Sequence, residues 1–170
     1  MRLAGLDLSL TGLGAVVVPA DWDLDWRRVE RASFGVRLRK NATTREVTDR
    51  LRNITRDVRV WLIRMGATHV YIEDLPPHTN GFSMVPLAEL RGVVRLDLLD
   101  EAKLDVAFVN QSSARKYLLG KLPAKERKQH VIAALKAAGA DFDDGDQYDA
   151  FSTVNVRLDG HGVPSLKNLL

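Results

Sequence analysis

The sequence predicts an α/β fold, a mixed five-stranded sheet flanked by helices in which the first three strands run antiparallel. Three observations predict it. Strand-like segments follow one another closely across residues 2–38, a segment with apolar residues at helical spacing comes next, and two further strand-like segments then alternate with helical ones. A chain of 170 residues is long enough for one full core and too short for two, so residues 1–170 are expected to form a single domain.

Composition excludes several classes of protein. There are no cysteines, which rules out disulfides and thiolate zinc sites. No apolar run approaches the ~20 residues of a membrane span and no signal peptide is visible, so a cytoplasmic protein with no membrane partner is expected. The net charge of +3 gives only weak support to a polyanionic partner.

The first half of the chain predicts three strands and a helix. The strands are "MRLAGLDL", "GAVVVP" and "VERASFGVRL", and a Gly-bounded turn separates the first two. Thr43 and Glu46 have the spacing of a capping box, which predicts that a helix begins there. Its apolar residues recur every three to four positions: Val47, Leu51, Ile54, Val58, Trp61, Leu62 and Met65. Its arginines indicate either a solvated face or one that faces DNA: Arg45, Arg50, Arg52, Arg56 and Arg59.

A second helix is predicted over residues 85–102, after a short strand, "THVYIED", and a loop, "LPPHTNGFSM". Apolar residues surround most of its circumference, so it is expected to be buried on more than one side. One side would cover the sheet. The other would contact either a partner subunit or the C-terminal segment of the same chain.

The last part of the chain predicts one strand and two helices. "VAFVN" is the fifth strand, "KERKQHVIAALKAAG" is a helix that Gly139 ends, and "DQYDAFSTVNVRL" is the final helix. No internal repeat or linker interrupts these elements.

Four acidic residues stand where this fold would bring them together. Asp7 lies within the first apolar strand, Glu73 lies at the end of the fourth, and Asp146 and Asp149 share one face of the last helix. Such a cluster repels itself unless cations compensate it, and Mg²⁺ accepts carboxylate ligands of this kind. The alternatives are that Asp146 and Asp149 cap the helix and that Glu73 only ends a strand.

Five segments, in this order and spacing, resemble the RuvC family of Holliday-junction resolvases, whose domain is RNase H-like. The segments are "GLDLSLTGLG", "YIED", "LAELRGVVRL", "SSARKYLLGK" with "AKERKQHVIAAL", and "DQYDAF". The likeness covers nearly all of the chain. One departure is Leu8-Ser9-Leu10-Thr11, where many cellular members have Pro-Gly after the first aspartate. That version is more similar to phage-encoded or divergent members, so the expected setting is a bacterial cytoplasm or that of a phage-infected host.

The resemblance implies a homodimer that resolves four-way DNA junctions by paired nicks, with the 85–102 helix as the candidate interface. It implies two Mg²⁺ ions per active site, with Mn²⁺ as an alternative, held by the four carboxylates. We expect Asp7 to bridge the ions, and the products to be a 5′-phosphate and a 3′-hydroxyl. Lys116 is expected to act at the scissile phosphate. The other expected DNA contacts are Lys125, Lys121, Lys128, Arg115 and Phe82.

Other functions stay open at the level of sequence. A related RNase H-like nuclease could act on flaps, forks or RNA–DNA hybrids with the same carboxylates. A non-catalytic junction-binding protein is disfavoured, because clustered negative charge does not help to bind a polyanion. Actin-like sugar kinases share the sheet order, but they need a second domain that 170 residues cannot provide.

Overall fold

The structure is a computed structural model that describes residues 1–9, 12–35, 41–75, 84–120 and 127–169. None of the helices in this described part of the chain is long and apolar enough to cross a membrane.

A mixed five-stranded sheet forms the centre of the fold, as the sequence predicts. The strands lie in the order β3-β2-β1-β4-β5. The first three pair antiparallel, whereas β1 with β4 and β4 with β5 pair parallel. The strands are β1 (Arg2–Leu8), β2 (Leu13–Pro19), β3 (Glu30–Phe34), β4 (His69–Glu73) and β5 (Asp105–Val109). The parallel pairing places the carboxyl ends of β1, β4 and β5 at one edge of the sheet.

Helices cover both faces of this sheet. They are α1 (Thr44–Arg64), α2 (Met84–Asp100), α3 (Gln111–Leu119), α4 (Arg127–Ala137) and α5 (Gly145–Leu158). The capping box is present at α1, where the Thr43 hydroxyl accepts from the Glu46 N–H and the Glu46 carboxylate accepts from the Thr43 N–H at 2.7 Å. Helix α3 is not among the elements predicted from the sequence; it begins after an Asn110 cap and ends at Gly120.

Two apolar clusters fill the space between the helices and the sheet. One packs α1 and α2 against one face, and its largest buried side chains include Leu6, Leu62 and Leu90. The other packs α3, α4 and α5 against the opposite face around Trp22 and Phe151. Because β1 is central, its side chains are buried on both faces, and any polar group on it is removed from water.

Helix α2 has one buried side and one exposed apolar side. Leu90, Val94 and Leu98 pack on the sheet, while Val85 and Leu96 are 66% and 53% exposed. The C-terminal segment does not cover this side in the described residues. It lies along α3 and α5 instead, where Asn155 Nδ2 donates to the Leu166 carbonyl at 2.8 Å and the Leu169 N–H donates to the Leu118 carbonyl at 2.9 Å.

The arginine face of α1 is interspersed with acids. Arg52 pairs with Asp49 at 2.6 Å, and Arg56 pairs with Asp57 at 3.1 Å. These exposed i,i+3 and neighbouring pairs are typical of a solvated helix face, and each contributes little to stability.

Candidate active site

The Asp7 carboxylate is buried in the middle of the sheet. Asp7 is 6% exposed and lies opposite Gly14 in the β1–β2 ladder. Burial raises the pKa of Asp7 to about 6, the nearby Asp149 and Asp146 carboxylates add to the rise, and a hydrogen bond from Glu73 opposes it. An ionised group in such a place destabilises the fold unless nearby groups compensate its charge.

Two glycines allow α5 to lie directly on the strand that carries Asp7. A Cβ at Gly5 would stand 2.0 Å from the Ala150 carbonyl oxygen, and one at Gly14 would stand 2.3 Å from the carbonyl carbon of Asp146. Both contacts are with backbone, so a side chain at either position would push the helix away. The absence of side chains at Gly5 and Gly14 therefore brings the acids of α5 close to Asp7.

Glu73 ends β4, the parallel neighbour of β1, and its carboxyl hydrogen-bonds to Asp7. Burial and then the adjacent Asp7 carboxylate raise the pKa of Glu73 to about 10. At neutral pH the pair therefore shares one proton, in the hydrogen bond between the two carboxyl groups. The second carboxyl oxygen of Glu73, Oε2, is buried with no hydrogen-bond partner among the described residues.

The first turns of α5 supply the other two acids. Asp144 is the helix cap, and its carboxylate accepts from the N–H groups of Asp146 and Gln147 at 3.0 and 2.9 Å. Asp146 and Asp149 are therefore not needed as caps. Asp149 is 2% exposed, and its charge acts on both Asp7 and Glu73.

Two cations compensate these carboxylates. Arg115 Nη2 lies 2.9 and 3.0 Å from the two Asp149 carboxylate oxygens, and Lys128 Nζ lies 3.0 Å from Asp149 Oδ2 and 3.2 Å from Asp146 Oδ1. Burial lowers the pKa of Lys128, but its two aspartate partners raise it overall. The sequence predicts Arg115 and Lys128 only as DNA contacts. Nothing in the local sequence pairs Arg115 with an acid 34 positions away.

The donor set fits a hard divalent cation. It consists of carboxylates alone, it contains a buried oxygen of Glu73 with no partner among the described residues, and its Asp7–Glu73 pair shares a proton that a bound cation would displace. In the present arrangement, no group of three or more His, Asp or Glu side chains within the described ranges is set to hold a metal ion. Asp149 is turned to Arg115 and Lys128, and Asp7 and Glu73 are joined to each other.

Of the remaining expected DNA contacts, Lys116 is among the residues that the structure describes. Lys116 is exposed on α3, next to Arg115, which reaches the carboxylates. Lys121, Lys125 and Phe82 lie outside the described residues. The roles of all these residues stay predictions.

A protein family matches most of the chain. The family described as "Crossover junction endodeoxyribonuclease RuvC" matches residues 27–154, about three quarters of the chain. The matched range includes Glu73, Asp146 and Asp149 and begins after Asp7. The sequence matches no curated protein.

Several solved structures have the same fold. RuvC of Thermus thermophilus in complex with a Holliday junction substrate is 17% identical, with 91% of this chain and 90% of that chain covered and a TM-score of 0.66. The yeast mitochondrial Holliday junction resolvase Ydc2 is 10% identical, with 94% and 78% covered and a TM-score of 0.64. The fowlpox virus resolvase, in a complex with Holliday junction DNA, is 12% identical, with 94% and 98% covered and a TM-score of 0.55.

The mixed five-stranded sheet flanked by helices matches the RNase H-like fold of these structures. With the family match over most of its length, the chain belongs to the RuvC family of crossover junction endodeoxyribonucleases.

Proposed function

We propose that the protein is a metal-dependent endodeoxyribonuclease that resolves four-way DNA junctions by paired symmetric nicks. One observation carries the proposal: in a chain of the RuvC family, the buried Asp7–Glu73 pair and the acids of α5 lie together at one edge of the sheet. Two structures with this fold, those of Thermus thermophilus and fowlpox virus, are described as complexes with a Holliday junction, which supports the same class of substrate here.

The metal ligands would be Asp7, Glu73, Asp146 and Asp149, and the ions would be two Mg²⁺, or Mn²⁺, per active site. Bound at such a site, divalent ions activate water for attack on a phosphodiester and stabilise the leaving oxygen. For these ligands to act, Glu73 must lose the proton that it shares with Asp7, and Asp149 must turn partly away from its cations.

Arg115 and Lys128 would bind a phosphate of the DNA strand. Both already lie within 3.2 Å of the α5 carboxylates, so a phosphate that reaches those carboxylates is within their reach as well. The two cations would then pair with the phosphate in place of the aspartates and hold the strand at the site. Lys116, exposed on α3 beside Arg115, would contact a neighbouring phosphate.

The exposed apolar side of α2 would be the contact between two copies. Val85, Val93, Leu96 and Leu99 expose apolar surface there. A two-fold dimer matches a substrate that has two-fold symmetry. Leu96→Glu is expected to convert the protein to a monomer in analytical ultracentrifugation, and a variant that sediments like the wild type would exclude this interface.

The test is cleavage of an end-labelled four-way DNA junction with Mg²⁺, beside linear duplex, flap, fork and RNA–DNA hybrid. Wild type is compared with Asp7→Asn and with Asp141→Asn, which changes an exposed acid in the loop before α5. Paired nicks confined to the junction, lost in Asp7→Asn and kept in Asp141→Asn, are expected. Cutting of flaps, forks or hybrids instead would retain the metal site and reject junction resolution. Tight junction binding with no cutting by any variant would reject the nuclease.

A further inference from the structure

A small pocket lies beside the active site on the flank of α2 that faces β5. Its volume is about 220 Å³, and it is lined by Leu75, Ala88, Arg91, Gly92, Arg95 and Phe108. Among these described residues two are arginines and none is acidic. Leu75 follows Glu73 by two positions, and Phe108 pairs with the residue before Glu73 in the sheet, so the pocket opens at the same sheet edge as the carboxylates.

One of the two arginines is held in place. Arg91 Nη2 pairs with Asp74 at 2.7 Å, and its guanidinium carbon lies 3.7 Å from the centre of the Phe108 ring. Stacking on an aromatic ring and pairing with a carboxylate fix a guanidinium plane at little further cost in side-chain entropy. Arg91 therefore forms an ordered wall of the pocket, with its charge offset by Asp74.

The other arginine, Arg95, is exposed. Arg95 lies one turn along α2 from Arg91 and makes no ion pair with any described residue. Between them, a Cβ at Gly92 would meet no atom within 4 Å, so this wall of the pocket is open. A site with an exposed guanidinium, a fixed one and an open wall suits an anion of the size of a phosphate.

We propose that this pocket binds a backbone phosphate of the DNA strand that runs to or from the active site, with Arg95 as the main contact. The inference rests on the proposed function, because it needs DNA to reach Glu73. It adds a contact on α2, away from α3 and α4, which carry the expected DNA contacts Arg115, Lys116 and Lys128. A strand held at Glu73 and in this pocket would cross the edge of the sheet near the exposed apolar side of α2.

The experiment measures the affinity of a fluorescent four-way junction without divalent metal, over a series of salt concentrations. The proteins are wild type, Arg95→Ala, Arg95→Lys and Arg64→Ala. Arg64 is the control, because it is an exposed arginine at the end of α1, next to the opposite edge of the sheet. Losing one phosphate contact should lower the slope of log affinity against log salt by about 0.9 and weaken binding about eightfold at roughly 0.1 M salt. Arg95→Lys should retain most of the slope, and Arg64→Ala should match wild type.

Each other outcome rejects the pocket. Equal slopes for Arg95→Ala and wild type, or equal losses for Arg95→Ala and Arg64→Ala, would mean that Arg95 is a solvated surface residue. Loss of affinity together with a change in sedimentation would assign Arg95 to the contact between copies. A wild-type protein that binds no junction at any salt concentration would refute the proposed function itself, which distinguishes that failure from the others.

Discussion

Replacing Glu73 by glutamine tests the carboxylate pair through the stability of the metal-free protein. Burial and the Asp7 carboxylate raise the pKa of Glu73 from its ordinary 4.5 to about 10. Between these values the folded protein holds a proton that the unfolded chain has released. Because the folded state binds more protons, the free energy of unfolding must fall as the pH rises through this range. A glutamine at this position donates a hydrogen bond to Asp7 without titrating.

The size of the effect follows from the proton count. One proton held by the folded state alone changes the free energy of unfolding by about 1.4 kcal/mol per pH unit. Between pH 5 and pH 8 wild type should therefore lose up to about 4 kcal/mol relative to Glu73→Gln, or about 10 °C in Tm for a chain of this length. Other groups titrate equally in both proteins, so the difference between their two curves isolates Glu73.

The assay is thermal unfolding followed by circular dichroism, in a chelator, at pH 5, 6, 7 and 8. Glu101→Gln, which changes an exposed glutamate just after α2, is the control and should follow wild type. At pH 8, added Mg²⁺ should raise the Tm of wild type far more than that of Glu73→Gln, which should not cut DNA. Parallel curves for wild type and Glu73→Gln, or a difference that grows toward acid, would refute the shared proton.

Two further substitutions test how the site is assembled. Gly14→Ala places a Cβ 2.3 Å from the backbone of Asp146, so it should destabilise the fold by about 1–3 kcal/mol and reduce cleavage, measured by urea unfolding and by the junction assay. Unchanged stability would mean that α5 does not rest on β2 there. Arg115→Ala leaves the buried Asp149 with Lys128 alone, and it should cost on the order of 3 kcal/mol in the metal-free protein. Added Mg²⁺ should recover part of that loss, and an equal loss with and without Mg²⁺ would assign Arg115 a purely structural role.

The parts of the fold that local patterns predicted are those in which local energetics agree with the tertiary structure. The capping box at Thr43 begins α1, and the apolar strand around Asp7 is central in the sheet. Helix α3 was not predicted, because its nine residues carry few apolar positions and its limits depend on an Asn110 cap and on Gly120. One alternative predicted from the sequence was that Asp146 and Asp149 cap α5, but Asp144 is the cap. Several aspartates stand close together before and within the first turns of this helix, and the sequence alone does not show which of them precedes the first helical residue.

The candidate site was predictable to the extent that it follows from strand order. Once β1 and β4 are neighbours, Asp7 and Glu73 must meet, and the sheet confirms that pairing. The positions of the two cations, Arg115 and Lys128, could not be predicted in this way. Arg115 reaches Asp149 only because α3 packs on α5, and no periodicity in the sequence encodes a contact between those two helices. Charge compensation depends on contacts between segments that are remote in the sequence, and no single motif contains both partners.

The charges of the cluster bear on how metal ions would bind. By formal charge, four carboxylates with one proton shared by the Asp7–Glu73 pair carry three negative charges, and Arg115 and Lys128 carry two positive charges, which leaves about one negative charge. One divalent ion that displaces the Glu73 proton would neutralise the site. A second ion would leave it strongly positive until DNA phosphate arrives. Calorimetric titration with Mg²⁺ at pH 7 should therefore give about one ion per chain and release about one proton, with a second ion bound only beside an uncleavable junction. Two ions of equal affinity without DNA would contradict this charge count.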